Sequence, residues 1–324
     1  MKICLIGCGR HAQRVYVPSL IRCRADDPSL MFAACCDIHT ENAQEVSQQA
    51  GFARTYTDYA AMLDAERPDA VLLVTSYAAT AAIATDILQK GYPVLIEKPP
   101  GSNLQETESL AAQVAAQPCL HQIAFNRRHI PVIRALKQDI AARGARMQHI
   151  DYGMYRVGRL DQEFYTTAVH GVDLVCHLAQ SSCVRANFLY GDLSRFGADV
   201  RNFIAQFQFA NGMTAQLTFC PMSGELSESL KVTTDAGTYR VNTPMWSDID
   251  ESALSFYQNK EAQHISISDG GAMFESNGFW YQLQSFLDCV QAGKQPADSL
   301  DTCLDSMRLS DCIRRLDTIY EIKS

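Results

Sequence analysis

A single lysine is the first candidate for chemistry in this chain, because it follows directly on a strongly apolar stretch. Lys98 lies in the sequence Glu97-Lys98-Pro99-Pro100, after residues 92–96 (Tyr-Pro-Val-Leu-Ile). The carboxyl end of such a strand borders the ligand crevice of an open α/β sheet, where an amine can carry a proton for a reaction. Taken alone, Lys98 is more simply explained as a surface lysine in a proline-stiffened turn. It is a candidate acid–base residue only together with a cofactor site.

A histidine in a predicted helix is the second candidate. Residues 166–179 are predicted to be helical, with His170, Asp173 and His177 on one face. The two histidines lie roughly 10 Å apart along a helix axis, which is too far for both to bind one zinc ion. We therefore expect no metal site. Asp173 is expected to orient one of the imidazoles, which leaves His170 for acid–base work. The alternative is a partly buried structural histidine, which the spacing alone slightly favours.

Residues 7–12 carry a glycine pattern that is typical of dinucleotide-binding sheets. Their sequence, Gly-Cys-Gly-Arg-His-Ala, fits G-x-G-x-x-G/A and lies between a predicted strand and a predicted helix. Gly7 permits the tight turn, Gly9 lets the backbone approach a diphosphate, and Ala12 is small enough for close packing of helix and strand. The amino end of the helix then offers N–H groups to the phosphates. The alternative is a glycine turn in an unrelated α/β sheet.

A carboxylate at the end of the second predicted strand indicates which dinucleotide binds. Asp37 stands where an acidic side chain accepts hydrogen bonds from the adenosine ribose and repels a 2′-phosphate, so NAD is favoured over NADP. Arg10 and His39 are the nearby residues that would weaken this preference. The alternative role for Asp37 is a solvated turn residue or helix cap. Thr75 and Ser76, which follow the third predicted strand, are further candidates for contacts with the cofactor.

Composition excludes several other classes of protein. The chain has 324 residues, of which 47% are hydrophobic, and a net charge of −8, which argues against a nucleic-acid-binding protein. The basic residues 127–129 form a small spot and not a stripe. No apolar run approaches the roughly 18 residues of a membrane helix, and Met1 and Lys2 lead straight into a strand instead of a secretory signal. Twelve cysteines without any Cys-x-x-Cys pair favour reduced thiols in the cytoplasm.

The hydrophobic pattern predicts two domains. Residues 1–124 alternate short apolar strands with helices, which is typical of a parallel sheet with crossover helices. Residues 125–324 instead show helices and long strands of period two, including a hairpin that turns at residues 210–212. We therefore predict an α/β Rossmann dinucleotide-binding domain followed by an α+β domain for substrate binding and oligomerisation, built on an open, mainly antiparallel sheet. The predicted strands of the first domain are residues 2–6, 31–36, 70–74, 93–96 and 120–124. In the second domain, the predicted strands are residues 202–209 and 214–219, and residues 230–241 and 253–267 are predicted to be further strand segments with turns at 236–237 and 259–260. The predicted helices are residues 130–142, 166–179, 279–292 and 300–316.

In this order and spacing, the motifs resemble those of the glucose–fructose oxidoreductase, inositol dehydrogenase and MocA (Gfo/Idh/MocA) family over nearly the whole chain. The motifs are Gly7-x-Gly9, Glu97-Lys98-Pro99, Phe125-Asn126-Arg127-Arg128 with Pro131, His170-x-x-Asp173, and Gly293-Lys294-Gln295-Pro296. The resemblance implies that Lys98 and His170 are the acid–base pair at a sugar hydroxyl, with NAD or NADP as the cofactor. It also implies a homodimer or homotetramer in which the open sheet is buried.

The resemblance and the patterns together give a set of candidate site residues. The cofactor-binding candidates are Gly7, Gly9, Arg10, His11, Ala12, Asp37, Thr75, Ser76, Glu97, Lys98, Pro99 and Asn126. The substrate-binding candidates are Arg127, Arg128, Tyr165, Thr166 and Asp173. The expected substrate is a small sugar-like molecule, with neither nucleic acid nor membrane as a partner.

Three positions depart from the family pattern. Thr166 stands where family members often carry an aspartate, Thr80 where many have a histidine, and Ser76 in place of the usual proline. The missing aspartate removes one contact to the substrate or the proton relay, and Tyr165 and Asp161 are the candidates to replace it. This departure indicates a substrate unlike a plain inositol.

The leading hypothesis is therefore a dehydrogenase or reductase of a sugar, a sugar nucleotide or a cyclitol. One alternative is a non-catalytic dinucleotide sensor that regulates a partner protein, although a sensor has no need of Lys98 and His170. The other is a glycosidase that uses bound NAD transiently and shows no net reduction of it.

Overall fold

The short apolar strands of the first part of the chain form one parallel sheet. The computed structural model describes residues 1–160, 165–246, 252–267 and 271–322. The strands of this sheet are β1 Lys2–Ile6, β2 Met31–Cys36, β3 Arg54–Tyr56, β4 Ala70–Leu73, β5 Val94–Glu97 and β6 His121–Ala124. Their order among the described residues is β3-β2-β1-β4-β5-β6, and all neighbours are parallel. From β1 the chain passes to β2 and β3 on one side of the sheet, and from β4 it passes to β5 and β6 on the other side. The connections after β1 and β4 therefore run in opposite directions, and such a switch point creates a ligand crevice at the carboxyl ends of these strands.

Helices connect these strands, as the alternating pattern predicts. They are α1 Val17–Asp26, α2 Thr40–Ala50, α3 Tyr59–Glu66, α4 Tyr77–Gln89 and α5 Leu104–Ala116. Before α1, residues Ala12–Tyr16 form a π-helical segment, and Pro18 lies in the first turn of α1. The sequence predicts a helix over residues 11–24 that is kinked or split at Pro18. The helical backbone instead continues through Tyr16 and Val17 into α1, and the hydrogen-bond pattern changes from π to α just before Pro18, which has no N–H to donate.

Two details of the first sheet differ from the sequence prediction. Strand β3 was not expected, because its three residues include the exposed Arg54 and Thr55 and show no apolar run. The sequence Ser102-Asn103-Leu104-Gln105 predicts a capping box that starts at Ser102, but the observed cap lies one residue later. Asn103 is the N-cap and accepts from the Glu106 N–H (3.0 Å), while the Glu106 carboxylate accepts from the Ser102 N–H (2.8 Å).

The second sheet is mixed but mainly antiparallel. Its strands are β7 Met147–Tyr155, β8 Cys183–Asp192, β9 Arg201–Phe209, β10 Thr214–Cys220, β11 Ser227–Thr234, β12 Thr238–Asn242, β13 Ala253–Gln258, β14 Glu261–His264 and β15 Ile319–Glu321. Within the described ranges their order is β14-β13-β12-β11-β7-β10-β9-β8-β15. β7 and β10 are parallel, and the other neighbours are antiparallel. The predicted hairpin is β9 and β10.

One face of this sheet carries the core. Along β9, Phe203, Ala205, Phe207 and Phe209 are buried, and the residues between them point to the other face. The helices of this part of the chain are α6 Pro131–Ala142, α7 Tyr165–Ala179, α8 Met273–Ser276, α9 Phe279–Ala292 and α10 Leu300–Arg315. Side chains of α6, α7 and α10 join the same apolar cluster. The predicted fold class, a Rossmann domain followed by an α+β domain with an open antiparallel sheet, is confirmed.

The chain divides into two compact units, each made of two separate stretches. The first unit comprises residues 1–126 and 278–304, and the second comprises residues 127–277 and 305–324. The sequence predicts one boundary, at residues 124 and 125, and assigns cofactor binding to the first part and substrate binding to the second. That functional assignment stays a prediction. No helix in the described ranges is both long and apolar enough to cross a membrane.

Candidate functional site

The loop after β1 has the geometry of a diphosphate-binding turn. Gly7 has φ +92°, and a Cβ added there would lie 2.1 Å from the Val74 carbonyl oxygen, so only glycine fits. At Gly9, by contrast, a Cβ would meet nothing within 4 Å. The backbone is thus open to a ligand at Gly9, as close approach of a diphosphate requires. Ala12 is buried and Arg10 is exposed beside it. These residues fit the phosphates of a dinucleotide.

Asp37 lies directly against this loop. Its Oδ2 accepts a hydrogen bond from the Cys8 N–H (2.8 Å). Its Oδ1 accepts from the His39 N–H (2.9 Å) and from Asn42 Nδ2 (3.4 Å). A carboxylate offers about four acceptor positions, so Asp37 retains capacity for a ribose hydroxyl. Its negative charge beside the glycine turn fits NAD.

The turn after β4 is held by two hydroxyl groups. The Thr80 hydroxyl donates to the Ser76 carbonyl oxygen (3.0 Å) and lies 3.1 Å from the Thr75 hydroxyl, which is therefore the donor in that pair. Thr80 is buried, whereas Ser76 is exposed at the start of α4. Thr80 thus stabilises the turn that carries the candidates Thr75 and Ser76.

Glu97 joins the glycine loop to the residue before Lys98. Its Oε1 bonds His11 Nε2 (3.0 Å) and accepts from the Tyr16 hydroxyl (2.7 Å), and its Oε2 accepts from the Lys98 N–H (2.9 Å). Burial favours the neutral form of Glu97, but the charges of His11 and Lys98 and these hydrogen bonds hold its pKa below the ordinary value. Tyr16 is also buried, and this burial together with the neighbouring Glu97 carboxylate raises the pKa of the Tyr16 hydroxyl.

This network places Lys98 at the carboxyl end of β5. The Lys98 side chain is partly exposed, whereas Glu97 and Pro99 on either side of it are buried, and the Lys98–Pro99 peptide bond is cis. Because β1, β4 and β5 are parallel neighbours, Lys98 lies at the same edge of the sheet as the glycine loop. The first unit therefore brings together the cofactor candidates and one of the two acid–base candidates. Asn126, also buried, ends this unit.

In the second unit, His170 lies on a helix that packs very closely on the sheet. A Cβ at the adjacent Gly171 would lie 2.4 Å from Met154 Sδ and 2.8 Å from Leu217 Cδ1, so a larger residue there would force these two side chains to move. His170 is 9% exposed. The candidate Tyr165 is buried and Thr166 is partly buried at the start of the same helix. Asp161, the other candidate to replace the missing aspartate, lies outside the described residues.

Two of the substrate-binding candidates bond to each other. Arg128 donates from Nε to Asp173 Oδ2 (2.8 Å) and from Nη2 to Oδ1 (2.5 Å), and both side chains are almost completely buried. The Ser306 hydroxyl also donates to Asp173 Oδ1 (3.1 Å). This charge-assisted pair ties α7 to the turn at residues 126–129 and to α10. A role in substrate binding stays a prediction for both residues.

His177 bonds a side chain on another helix. Its Nε2 lies 2.7 Å from the ammonium group of Lys137 on α6. The described part of the chain contains no group of three His, Cys, Asp or Glu residues that could hold a metal ion.

Arg127 belongs to a buried network whose other members the sequence did not reveal. Glu228 accepts from Arg127 Nε (2.9 Å), from Arg127 Nη2 (2.5 Å), from the Tyr152 hydroxyl (2.6 Å) and from Arg156 Nη2. Burial favours the neutral form of Glu228, but the two arginines outweigh it and lower its pKa to about 2. Glu228 is the second residue of β11 and follows the mostly polar residues 223–227, so the sequence alone suggests an exposed position. The pairing of β11 with β7 brings it beside Tyr152 and Arg156.

Comparisons with known proteins support an NAD-binding Rossmann fold in the first part of the chain. Residues 1–125 match the Gfo/Idh/MocA family, described as an oxidoreductase family with an NAD-binding Rossmann fold. The chain is 24% identical to the oxidoreductase YceM of Salmonella typhimurium over 326 residues, which is 99% of each chain. It is 32% identical to the rhizopine catabolism protein MocA of Rhizobium meliloti over 139 residues, which cover 43% of this chain and 41% of MocA. The crystal structure of myo-inositol 2-dehydrogenase from Lactobacillus plantarum is 18% identical, with a TM-score of 0.79 and coverage of 100% of this chain and 99% of that one.

Proposed function

We propose that this chain is a member of the Gfo/Idh/MocA family of oxidoreductases, whose family model matches residues 1–125, and on that premise we propose its reaction and catalytic residues. The proposed reaction transfers hydride between the nicotinamide of NAD or NADP and a hydroxyl- or keto-bearing carbon of a sugar, a sugar derivative or a cyclitol. Lys98 and His170 are its acid–base residues.

One observation carries this proposal. The hydrogen bond between His11 and Glu97 (3.0 Å) links the glycine loop to the residue before Lys98, at one edge of one sheet. A dinucleotide held by the glycine loop would lie in the crevice at the carboxyl ends of these strands, because ligands of such sheets bind there. Lys98 would then stand in the same unit as the cofactor and could carry the proton of the reaction. A sensor that only binds the dinucleotide has no use for a lysine fixed in this way.

The chain's own residues divide the work as follows. The bound nicotinamide supplies the hydride acceptor, or the donor in the reverse direction. In the direction of oxidation, Lys98 takes the proton of the substrate hydroxyl as the carbon–hydrogen bond breaks and the C–O bond becomes C=O. His170 holds or exchanges that proton, and Glu97 fixes the backbone of Lys98 through its N–H group. Asp37 selects NAD over NADP by accepting from the ribose and repelling a 2′-phosphate.

The test is turnover measured by the absorbance of reduced nicotinamide. Purified protein is mixed with NAD or NADP and a panel of sugars, cyclitols and sugar nucleotides, in wild type, Lys98→Met and His170→Ala. General acid–base catalysis contributes about 10²–10⁴-fold, so each variant is expected to lose about that much of kcat. Lys90→Met, which removes a surface lysine paired with Asp64, is the matched control and should retain activity.

Three results contradict the proposal. Full activity of both variants would show that Lys98 and His170 are not the acid–base residues. Tight binding of NAD without turnover on any substrate would favour the dinucleotide sensor. Cleavage of a glycoside without net reduction of NAD would favour the glycosidase.

A further inference from the structure

A buried cluster in the second unit carries more positive than negative charge. Arg127 and Arg156 both donate to the carboxylate of Glu228, which also accepts from the Tyr152 hydroxyl. The side chains of Arg127, Arg156 and Glu228 are 8%, 9% and 2% exposed. Tyr152 is neutral, because burial and the neighbouring carboxylate raise its pKa. Two guanidinium charges thus face one carboxylate charge.

In the same unit, a nearby ion pair has equal positive and negative charge. Arg128 and Asp173 form a one-to-one pair with two parallel hydrogen bonds. In the cluster, the other donors of Arg156 reach only neutral acceptors, since its Nη1 donates to the Tyr155 carbonyl oxygen (2.8 Å) and to that of Ser227 (3.5 Å). Among the described residues, Glu228 is the single carboxylate that either arginine of the cluster contacts.

A buried charge is normally paired, because removal of an ion from water is expensive and only a counter-charge in good geometry repays it. Guanidinium groups bind oxyanions well, since they offer planar sets of N–H donors that match carboxylate and phosphate oxygens. Both arginines keep a small part of their side chains open to solvent, where such an oxyanion can approach. The surplus positive charge therefore indicates a missing anion.

We propose that Arg127 and Arg156, held in place by Glu228 and Tyr152, form an oxyanion subsite that binds a carboxylate or phosphate group of the substrate. The link to the substrate rests on the proposed function, whereas the binding of an oxyanion does not. The subsite would make this protein selective for acidic sugars or phosphorylated sugar derivatives over neutral ones.

The first experiment measures binding alone. The thermal unfolding temperature of wild-type protein is recorded with increasing inorganic phosphate, against sodium chloride at matched ionic strength. Wild type is expected to be stabilised by phosphate, because a ligand of the folded state raises its stability. Arg156→Gln, in which one guanidinium faces one carboxylate, should lose this response. Arg156→Lys keeps the charge and should retain part of it. Arg240→Gln, which removes an exposed arginine from β12, is the control and should respond like wild type.

The second experiment uses pairs of substrates that differ by a carboxylate or a phosphate. Loss of a hydrogen-bonded charged group from the subsite should raise KM for the acidic member about tenfold to a hundredfold in Arg156→Gln, with little change for the neutral member.

Equal phosphate responses in wild type and Arg156→Gln, or no response in either, would overturn the subsite even if dehydrogenase activity is found. A phosphate response that Arg156→Gln abolishes, together with no turnover on any substrate, would support the subsite and contradict the proposed function. A response to phosphate without preference for acidic substrates would identify a site for free phosphate and refute the substrate role.

Discussion

At the scale of single residues, the two glycines of the loop after β1 meet different constraints. Gly7 is required by the fold, because its φ of +92° and the Val74 carbonyl oxygen exclude a side chain. Gly9 has open space around it, so the fold itself does not require glycine there, and we expect its missing side chain to serve an incoming ligand. Substitution of each glycine by alanine therefore distinguishes the residue that the fold requires from the residue that a ligand requires.

We predict opposite outcomes for Gly7→Ala and Gly9→Ala. Gly7→Ala should lower the free energy of unfolding by about 2 kcal/mol or more, because a strained backbone and a steric overlap coincide there. Gly9→Ala should unfold like wild type but bind NAD at least about tenfold more weakly, because its methyl group occupies the space for the diphosphate. Chemical denaturation and fluorescence titration with NAD give the two quantities. A Gly9→Ala variant with unchanged NAD affinity would show that the diphosphate does not lie over this residue.

The residues that local patterns specify are the ones the sequence could predict. Gly7, Gly9 and Asp37 each follow from their position relative to a strand, and the structure places them together. Glu228 and Arg156 were missed, because their contact depends on which strands become neighbours. A single chain gives no sign that β11 pairs with β7.

At the scale of elements, the edge of strand β6 is covered by a loop. The Gln295 side chain donates to the His121 carbonyl oxygen (2.7 Å) and accepts from its N–H (3.3 Å), and the Ile123 N–H donates to the Asp298 carbonyl oxygen (2.7 Å). The His121 ring donates from Nδ1 to the Cys119 carbonyl oxygen (2.8 Å) and accepts from the Leu300 N–H at Nε2 (3.1 Å). Residues 295–300 thus protect the edge strand from incorrect pairing.

We predict that His121 makes this arrangement sensitive to acid. Burial lowers the pKa of His121 below its ordinary value of 6.5, and the neutral ring is the form that accepts from Leu300. The unfolded chain therefore binds a proton more readily, so stability is fully present above about pH 6.5 and decreases as the pH falls through the folded-state pKa. His121→Ala should lose about 1–3 kcal/mol at pH 7 and show a shallower loss between pH 7 and 5. Urea unfolding at several pH values measures both effects.

The matched control is His39→Ala, which removes an exposed histidine from the same unit. It should leave both the stability and its pH dependence unchanged. If His121→Ala keeps the full pH dependence of wild type, another group causes it.

Several elements with a strong period could be predicted, but the long strands β7 and β8 were missed along with the short β3 and β15. The predicted strands in both sheets correspond to strands in the structure, because their apolar residues recur at the period that the sheets require. Strand β3 has three residues and lies at the edge of its sheet, so it leaves almost no pattern. The loop at residues 293–298 resembles the family in sequence, but its pairing with β6 spans more than 170 positions of chain.

At the scale of the whole molecule, the outer face of the second sheet bears exposed apolar side chains. Leu189 on β8 is 64% exposed and Ile319 on β15 is 56% exposed. The neighbour of Leu189 on β9 is Ile204, which lies on the same face. We expect a second copy of the chain to cover this face, in a homodimer or homotetramer.

We predict that Leu189→Glu weakens this assembly, because a carboxylate would be buried in the interface. Sedimentation velocity should show wild type above the 35.9 kDa of one chain and the variant shifted toward that mass. Gln49→Glu, which places the same charge on the exposed side of α2, should assemble like wild type. A wild-type mass of one chain, or an unchanged assembly in Leu189→Glu, would refute this expectation.

The division of each unit into two stretches has a consequence for the growing chain on the ribosome. Residues 1–126 emerge early, but the edge of β6 acquires its cover only with residues 295–300. At about 5–20 residues per second, this interval lasts roughly ten to thirty seconds. We therefore expect the unfinished Rossmann sheet to present an open strand edge during translation, and the yield of folded protein to depend on the speed of translation and on chaperones that shield this edge.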